Sequence, residues 1–446
     1  MIGAGFAGLA AAIALQERRH QVTLLERRGV LGGRATSFAD AATGEAVDNG
    51  THVLLAGYYA TLDLVHRARA DDLLETQARL HIDYVDDRGR TALDCPSLPA
   101  PLHLLAGLRG LRLPWRVWRD VVRFGLSARL GAVPQGLTLA EWFARTGQGV
   151  ETRRLLWDPL ATAILNETPE RAAAVLFHAV FQEAFLEDHR ASRLVFLKAG
   201  FAALHERLAA YFQARGGELR RRALAEAIQV EADRVRGVRI MQRPQTREAI
   251  RRGQKAVEEA VHAQAVVAAV PWWALPPLLP PEVRAQAPFA RLGSLRGSPI
   301  VSVELWLDRP VVDTLMLGLR DSEMEWVFDK GRLYGRPGAP QHLAFIVSAA
   351  YRSAPRANAE LVALAEAALR RYFPAMADAA VLRSLVLREK DATFSADPAA
   401  EEVRPGPRTG VAGLFLAGDW TRTGLPATIE GAVRSGFAAA AEAERR

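Results

Sequence analysis

Half of the 446 residues are hydrophobic and 24% are charged, which is typical of a soluble globular enzyme with two or three subdomains. No apolar run is long enough to span a bilayer and no signal peptide precedes the first motif. The single cysteine, Cys95, excludes an intrachain disulfide and a thiolate metal cluster, so we expect a reducing cytosol and no metal. The net charge of +7 leaves nucleic acid and an anionic membrane open as partners.

The first 34 residues carry a nucleotide-binding pattern. Gly3, Gly5 and Gly8 form a G-x-G-x-x-G, an Ala/Leu-rich helix follows, and a short buried strand ends at Glu26. The glycines permit a tight turn, the helix N-terminus faces a pyrophosphate, and the acid binds a ribose hydroxyl. The pattern predicts a dinucleotide half-site rather than a glycine-rich helix start.

A parallel strand should precede Gly3, but only Met1 and Ile2 stand before it. Either translation starts upstream or the first strand is very short, and we favour a clipped N-terminus. On that interpretation, an N-terminal extension would raise cofactor occupancy in the expressed protein.

A second glycine pair, Gly32 and Gly33, precedes Arg34, which a simple nicotinamide site does not require. The guanidinium fork suits a diphosphate, the alternative being a surface arginine. This G-G-R resembles the pattern of the phytoene desaturase/amine oxidase superfamily of flavoproteins. The resemblance implies that these residues approach the pyrophosphate of FAD. It also implies that the segment from Asp48 to His52 crosses back beside the isoalloxazine ring.

Residues 97–133 are rich in Leu, Trp and Phe, with one acid, Asp120, among six arginines: Arg109, Arg112, Arg116, Arg119, Arg123 and Arg129. This composition predicts amphipathic helices that dock on an anionic membrane, the alternative being an ordinary helical cap with solvated arginines. No nucleic-acid-binding motif is present, so we expect no nucleic-acid partner. We expect a cytoplasmic protein bound peripherally at the inner membrane.

The middle of the chain alternates between predicted helices and strands. Residues 138–210 are predicted to be helical, broken at Pro159 and Pro169, with Asn166 or Thr168 as a cap. The apolar surface at 177–201 is interpreted as plain core or as a substrate wall.

The chain then returns to the nucleotide domain. A hairpin at 225–240 follows, in which the resemblance implies an adenine contact at Ala225, where the superfamily usually has Val. Residues 244–264 are predicted to form a charged helical insert, and 265–271 a buried parallel strand.

Residues 80–93 predict a hairpin around the turn at 86–89, the first piece of a substrate domain. Alternating runs at 300–307, 324–328 and 342–349 predict an antiparallel sheet that floors a substrate cavity. A helix over 358–373 and a strand over 381–388 complete this part. At the C-terminus an apolar strand ends in Gly418-Asp419, and a long helix opens with Glu430, Gly431 and Ala432. The resemblance implies that Gly-Asp contacts the ribityl-phosphate and that the helix N-terminus faces the flavin pyrimidine edge.

These elements predict an α/β fold: a Rossmann-like FAD-binding domain of the amine-oxidase type, an antiparallel-sheet substrate domain and a helical, membrane-docking subdomain. We expect the FAD-binding domain at residues 1–79, 211–275 and 391–446. The helical part of the substrate domain is expected at 80–210, and its sheet and helix at 276–390.

Within the superfamily, the segments 48–52, 166–169 and 423–431 resemble the hydroxysqualene dehydroxylases of hopanoid biosynthesis. The resemblance implies that hydroxysqualene, a lipophilic isoprenoid, loses its hydroxyl and gains a hydride from reduced flavin. An acid could assist departure of the hydroxyl, and His52 and Asp48 are the candidates. The alternatives are that both are structural or that no acid is needed.

Three other functions stay open at this stage. A carotenoid-type desaturase would oxidise phytoene-like chains. A flavin amine oxidase would have a cysteine near Gly418-Asp419 or a lysine over the flavin, whereas Cys95 lies far from that motif and no lysine stands out. A non-enzymatic flavin-binding scaffold is the third. No second G-x-G-x-x-G is present for NAD(P)H, so an external electron donor is expected.

Overall fold

The computed structural model describes residues 1–244 and 251–445. A parallel sheet is assembled from four distant strands: Thr23–Glu26, Glu218–Arg221, Val266–Ala268 and Leu414–Leu416. The first two pair with each other, and so do the last two. Since parallel strands require long crossover connections, this sheet draws its members from both ends and the middle of the sequence.

The first three residues occupy the central position of this sheet. Ile2 forms parallel bridges to Leu25 and Ala268 and so joins the two strand pairs. The Gly3 amide donates to the Leu25 carbonyl at 2.8 Å, and the Leu25 amide donates to Met1 at 3.0 Å. The Met1 amine is buried, and burial lowers its pKa to about 5. Residues 1–3 therefore supply the strand position in front of the glycine turn.

Three helices cover the parallel sheet: Phe6–Glu17, Gly200–Ala214 and Ile429–Glu444. The first of them is nearly all buried and is built largely from alanine, which permits a close approach. A Cβ at Gly436 would overlap the Ala7 carbonyl oxygen, so the first and last helices pack backbone against backbone. Their N-termini are thereby held at the same end of the sheet.

A second sheet has seven strands in the spatial order Val381–Phe394, Gly297–Leu307, Gln341–Val347, Trp326–Asp329, Met316–Leu319, His81–Asp86 and Gly89–Asp94. All neighbours are antiparallel except the fifth and sixth strands, which are parallel. The predicted antiparallel sheet and the predicted hairpin are both confirmed, and the parallel pair joins the two. On one face, Val301, Val303 and Leu305 pack against the helix Asn358–Tyr372. The alternate residues, such as Ile300, point to the opposite face.

A helical cap faces that second surface. Its helices are Leu102–Gly107, Leu108–Leu111 (3₁₀), Trp115–Leu130, Leu139–Arg145, Val150–Thr152, Arg153–Trp157 (π), Asp158–Leu165, Ala174–Phe181 and Gln182–Leu186 (π). The buried Phe124 ring contacts Trp142, Trp157 and Phe181 at centroid distances of 4.7, 4.6 and 5.5 Å. This aromatic cluster forms the interior of the cap.

Three parts of the helical prediction over 138–210 are wrong. Leu194–Leu197 is a strand, because a short, fully buried run has no period that distinguishes it from a helix. Pro159 breaks nothing, since residues 150–165 are helical throughout and the π-helical turn Arg153–Trp157 directly before it already interrupts the regular hydrogen-bond pattern. Asn166 does not begin a helix but ends this one, with a left-handed φ of 49°.

Asn166 and Glu167 tie the end of this helix to the seven-stranded sheet. The Asn166 amide donates to the Ser298 carbonyl at 3.2 Å and to Thr393 Oγ1 at 2.9 Å, and its oxygen accepts the Ala349 amide at 2.7 Å. The fully buried Glu167 carboxylate accepts from the hydroxyls of two residues near strand ends, Tyr351 and Ser395. The cap is thus fastened to three strands at one point.

The predicted helical insert at 244–264 is wrong over the strand Val257–His262, which pairs with Arg234–Gln242. That strand in turn pairs with Ala223–Glu231, as the predicted hairpin requires. The reason is solvation: Glu258 and Glu259 lie on an exposed edge, where charge masks the alternation of a strand. Residues 245–250 lie outside the described residues.

The remaining elements connect these layers. The strands are Ser37–Ala39, Ala46–Asp48, Leu54–Leu55 and Leu74–Thr76. The helices and helical turns are Tyr59–Arg67, Asp71–Leu73, Pro276–Leu278, Pro281–Arg284, Phe289–Ser294, Lys330–Leu333, Pro374–Asp378 and Pro398–Val403.

Candidate active site

The glycine turn forms one end of a cavity. Gly3 has a φ of +95°, and Gly3 and Gly5 line the cavity wall. A Cβ at Gly3 would overlap the Ala269 carbonyl oxygen, and one at Gly8 would overlap the carbonyl oxygen of Gly3. Gly8 therefore shapes the turn from behind without lining the cavity. Gly5 caps the following helix with no side-chain hydrogen bond, which leaves the first backbone N–H groups directed at the cavity.

Glu26 closes the next strand at the same edge of the sheet. Its buried carboxylate lines the cavity and accepts the Ala4 amide at 3.0 Å and the Arg28 amide at 2.9 Å. Ala225 lines the wall beyond it, where the strand register shifts between Ala225 and Ala227. Glu26 and Ala225 therefore line the same cavity as the glycine turn.

Arg34 joins the N-terminal and C-terminal motifs. Gly32 and Gly33 have φ values of +108° and +61°, and they bring the chain past the glycine turn. The Arg34 guanidinium pairs with Asp419 and also donates to the Ala392 carbonyl at 2.9 Å. All five of these residues line the cavity: Gly32, Gly33, Arg34, Ala392 and Asp419. Motifs 385 residues apart thus meet at one clamp.

The C-terminal helix points its first turn at the cavity. Gly418 has a φ of +144°, and its amide donates to Ser435 Oγ of this helix at 2.8 Å. Thr428 caps the helix by accepting the Gly431 amide at 2.9 Å, and Thr428 and Ala432 line the wall. A helix N-terminus stabilises negative charge in front of it.

Glu430, predicted to contact the cofactor, has its side chain directed away from the cavity. Its carboxylate is 1% exposed and accepts the amides of Ala60 and Thr61 at 3.1 and 2.9 Å. It also pairs with Arg434 at 2.8 Å. These bonds hold the helix Tyr59–Arg67 against the C-terminal helix, so the side chain of Glu430 acts in packing.

Beyond the glycine turns, the cavity continues between the second sheet and the helical cap. Its volume is about 1000 Å³, at the upper end of the range of about 300–1,000 Å³ typical of small-molecule sites. Apolar side chains from both layers dominate this continuation, including Ile300, Phe328, Ile346, Leu105, Leu156 and Phe181. The apolar surface at 177–201 therefore contributes both to the cap interior and to the cavity wall.

The cavity reaches solvent at the helix Trp115–Leu130. Val122, Leu126 and Trp273 line it and are nonetheless 44%, 57% and 43% exposed. Further apolar side chains are exposed in the same stretch: Leu98, Leu102, Trp115 and Leu130. The mouth is thus bordered by side chains that water solvates poorly.

Asp48 lies behind the cavity wall in a polar cluster. Its carboxylate accepts from Lys330 Nζ at 2.5 Å, from the Ser37 hydroxyl at 2.5 Å and from the Tyr334 hydroxyl at 2.8 Å. Burial raises the pKa of this carboxyl, but the charge and hydrogen bond of Lys330 outweigh burial and hold the pKa below its ordinary value. Asp48 does not line the cavity and its oxygens are occupied by three donors, so this geometry disfavours it as the acid.

His52 lines the cavity, and its ring packs edge-on against Phe201 at a centroid distance of 5.3 Å. Burial lowers the pKa of His52, and the neighbouring Asp48 charge only partly offsets this. The imidazole is therefore neutral at physiological pH, and a neutral imidazole donates a proton less readily than a protonated one.

Sequence reasoning missed three charged residues of this region. Lys330 is 1% exposed and pairs with Asp48, and this pairing joins parts of the chain that no motif connects. Arg320 and Glu389 line the cavity from the second sheet. For Glu389, the only available signal was a charged residue at the end of a predicted strand, which is more often a solvated edge.

Known proteins match this chain over nearly its full length. The profile of the family described as "Flavin containing amine oxidoreductase" matches residues 6–443. The chain is 31% identical to the hydroxysqualene dehydroxylase of Rhodopseudomonas palustris, over 99% of this chain and 96% of that protein. It is 30% identical to the protein of that name from Sinorhizobium fredii, over 99% and 96%. It is 26% identical to the 15-cis-phytoene desaturase of Synechococcus elongatus, over 97% and 93%.

Solved structures share the fold at low identity. An oxidoreductase from Methanosarcina mazei superposes with a TM-score of 0.74 at 17% identity, covering 98% of both chains. Putrescine oxidase bound to putrescine superposes with a TM-score of 0.69 at 17% identity, covering 100% of this chain and 98% of that one.

Proposed function

Because the chain belongs to the flavin containing amine oxidoreductase family and is an FAD-dependent oxidoreductase, we propose that it reductively converts hydroxysqualene to squalene. One observation carries the proposal: an apolar cavity continues from the glycine cradle to a mouth bordered by exposed Leu and Trp side chains. A long hydrocarbon with one hydroxyl group matches this shape and polarity. The names of two full-length relatives supply the substrate.

The residues of the cradle fit FAD. Cβ atoms at Gly3 or Gly32 would collide with the carbonyl oxygens of Ala269 and Ala35, so both turns of the cradle require glycine, as a dinucleotide-binding turn does. In our proposal, Gly3, Gly5, Gly33 and Arg34 hold the diphosphate.

The rest of the cradle then follows from its position. We assign Glu26 to the ribose hydroxyls, Ala225 to the adenine, and Gly418 and Asp419 to the ribityl-phosphate. Gly8 and Gly431 shape the turns behind the cradle, and Ala432 borders the flavin pyrimidine edge. The FAD-binding domain then comprises residues 1–79, 211–275 and 391–446, with the substrate domain between them.

Reduced FAD, once bound, supplies the hydride that replaces the hydroxyl, and an external donor supplies the electrons. The chain orients the substrate and excludes water. Asn49 and Gly50 permit the segment before His52 to pass close to the ring, and the Lys330–Asp48 pair fixes the start of that segment. The apolar walls of the sheet and cap keep water from a carbon that becomes electron-poor as its C–O bond breaks.

Anaerobic turnover tests this proposal. Chemically reduced protein is incubated with hydroxysqualene and, separately, oxidised protein with phytoene and a quinone, and the lipids are analysed by mass spectrometry. We expect squalene from the first incubation and unchanged phytoene from the second. A Gly8→Val variant, in which the glycine turn cannot form, is the control without cofactor. Desaturated phytoene without squalene would instead identify a carotenoid desaturase, the activity named for the relative from Synechococcus elongatus.

We further propose that residues 97–133 dock on an anionic membrane, so that an apolar substrate enters without crossing water. No helix in the described ranges is long and apolar enough to cross a bilayer. All six arginines of the stretch are exposed. The single acid, Asp120, is buried and accepts the Gly149 amide at 3.1 Å and the Thr152 hydroxyl at 2.9 Å. The outer surface is therefore positive and apolar, as interfacial helices are.

Liposome flotation tests the docking. Vesicles containing phosphatidylglycerol should carry the wild-type protein, and replacing Arg112, Arg116 and Arg119 by glutamine should release most of it. The control replaces three exposed arginines elsewhere, Arg19, Arg88 and Arg352, and so changes the net charge equally. Equal flotation of both triple variants would refute a local docking surface.

A further inference from the structure

Three carboxyl groups line the cavity in the described part of the chain: Glu26, Asp419 and Glu389. Glu26 is bonded to backbone amides of the cradle, and Asp419 is paired with Arg34. The Glu389 carboxylate has neither a hydrogen bond nor an ion pair with any described residue. This carboxyl group is half-buried and lines the cavity, so its oxygens are free to bond a ligand there.

Strand pairing places Glu389 on the wall next to the proposed flavin site. Its Cα partner across the sheet is Ile300, which lines the cavity and packs in one small cluster with Val53, the residue after His52. Three residues after Glu389, the Ala392 carbonyl accepts from Arg34. The carboxyl group thus lies between the segment beside the proposed ring position and the diphosphate clamp.

Regular strand pairing directs Glu389 at the cavity, since it lies opposite the cavity-lining Ile300, and a strand irregularity follows directly after it. The register with the neighbouring strand shifts between the pairs Ser298–Thr393 and Ile300–Glu389, so extra residues are accommodated on this strand. A bulge of this kind changes the direction of side chains and often occurs beside active sites. Glu389 and Thr393 lie on either side of this irregularity, and both are on the cavity wall.

Thr393 adds a hydrogen-bond donor next to this carboxyl group. Its Oγ1 accepts the Asn166 amide at 2.9 Å, so the Thr393 hydroxyl proton remains to donate to a ligand. The Asn166 side chain is itself fully engaged, since it also bonds the Ser298 carbonyl and the Ala349 amide. The polar patch therefore offers one fixed donor and one carboxyl group in a wall that is otherwise apolar.

We propose that Glu389 is the catalytic acid that protonates the departing hydroxyl of the substrate, with Thr393 donating a second hydrogen bond to the same oxygen. This inference rests on the proposed function. The substrate C–O bond breaks with its electron pair remaining on oxygen. That oxygen takes the proton of Glu389 and leaves as water. The carbon gains a hydride from the reduced flavin, which is thereby oxidised, and Glu389 is left as a carboxylate.

The decisive experiment compares two leaving groups. Reduced wild-type protein and the Glu389→Gln variant are each given hydroxysqualene and its acetate ester in single-turnover reactions. Hydroxide leaves only with a proton, whereas acetate leaves without one. Loss of the acid should slow hydroxysqualene conversion by about 10²–10⁴-fold and leave conversion of the ester within a few fold of wild type. Slowing of both substrates by the same factor would overturn the inference, because a structural defect does not distinguish leaving groups.

Two further measurements exclude an indirect effect. Equilibrium dialysis of labelled hydroxysqualene with oxidised protein should give an unchanged Kd for Glu389→Gln, since the amide still hydrogen-bonds the hydroxyl. The exposed Glu282→Gln serves as the matched control and should behave as wild type. If the Glu389→Gln variant converts hydroxysqualene at the wild-type rate, Glu389 is not the catalytic acid, and the proposed function stays intact. Wild-type protein that makes no squalene overturns both.

Discussion

The buried pair of Lys330 and Asp48 allows a quantitative prediction for Lys330→Met. The two side chains are 1% and 4% exposed, and their charged atoms lie 2.5 Å apart. The substitution leaves the Asp48 carboxylate with the hydroxyls of Ser37 and Tyr334 but without a counter-charge. Removal of one partner from a buried pair costs about 3–5 kcal/mol. We expect the free energy of unfolding to fall by that amount.

The measurement is urea unfolding of the FAD-loaded protein at neutral pH, followed by tryptophan fluorescence. Replacing both partners, as in Lys330→Met with Asp48→Leu, should recover most of the loss because no unpaired charge remains. FAD should also dissociate more readily from the single variant, since Asp48 fixes the segment that leads to His52. The exposed Lys390→Met is the control for removal of a lysine. A loss below about 1 kcal/mol in the single variant, the range of an exposed pair, would refute the reasoning.

Two further predictions concern the cradle and the second sheet. Glu26→Ala should lower FAD retention because the ribose hydroxyls and the Ala4 amide lose their acceptor; a variant that stays yellow at wild-type affinity contradicts this. Burial raises the pKa of Glu325 to about 7, so its stabilising contribution is complete below its ordinary value of 4.5 and is lost as pH rises through 7. Between pH 4.5 and pH 8, the free energy of unfolding measured with urea should fall by about 3 kcal/mol more for wild type than for Glu325→Gln. If the two proteins lose stability in parallel over this range, the prediction is wrong.

The cradle could be predicted from sequence because its chemistry is local. Glycines at fixed spacing, an acid at a strand end and an arginine after a glycine pair each have a physical reason that needs no distant partner. Glu430 fits the same kind of pattern, yet its carboxylate bonds amides at positions 60 and 61. Whether the Glu430 carboxylate faces the cofactor site or these amides is determined only by how two distant helices pack.

The second sheet shows where sequence reasoning ends. The predicted strand 381–388 stops one residue before Glu389, because the charged run Glu389-Lys390-Asp391 that begins there is typical of a solvated loop. Lys330 gave no signal, since its partner lies 282 residues away. Charged residues read from sequence are assigned to the surface by default. Charged residues that are exceptions, such as Lys330 and Glu389, are recognised only once the fold shows whether a partner lies beside them.

The hydrogen bonds of Asn166 and Glu167 have a consequence for how a long, flexible ligand enters and leaves the cavity. They fix one end of the cap to three strands, whereas the mouth lies at the helix Trp115–Leu130, which none of these bonds holds. We therefore expect a long ligand to enter lengthwise at this mouth and its product to leave there as well. The product then has to slide out along the apolar wall, so the rate of its release should fall as its chain becomes longer. Chain length would thus contribute to the selection of substrates.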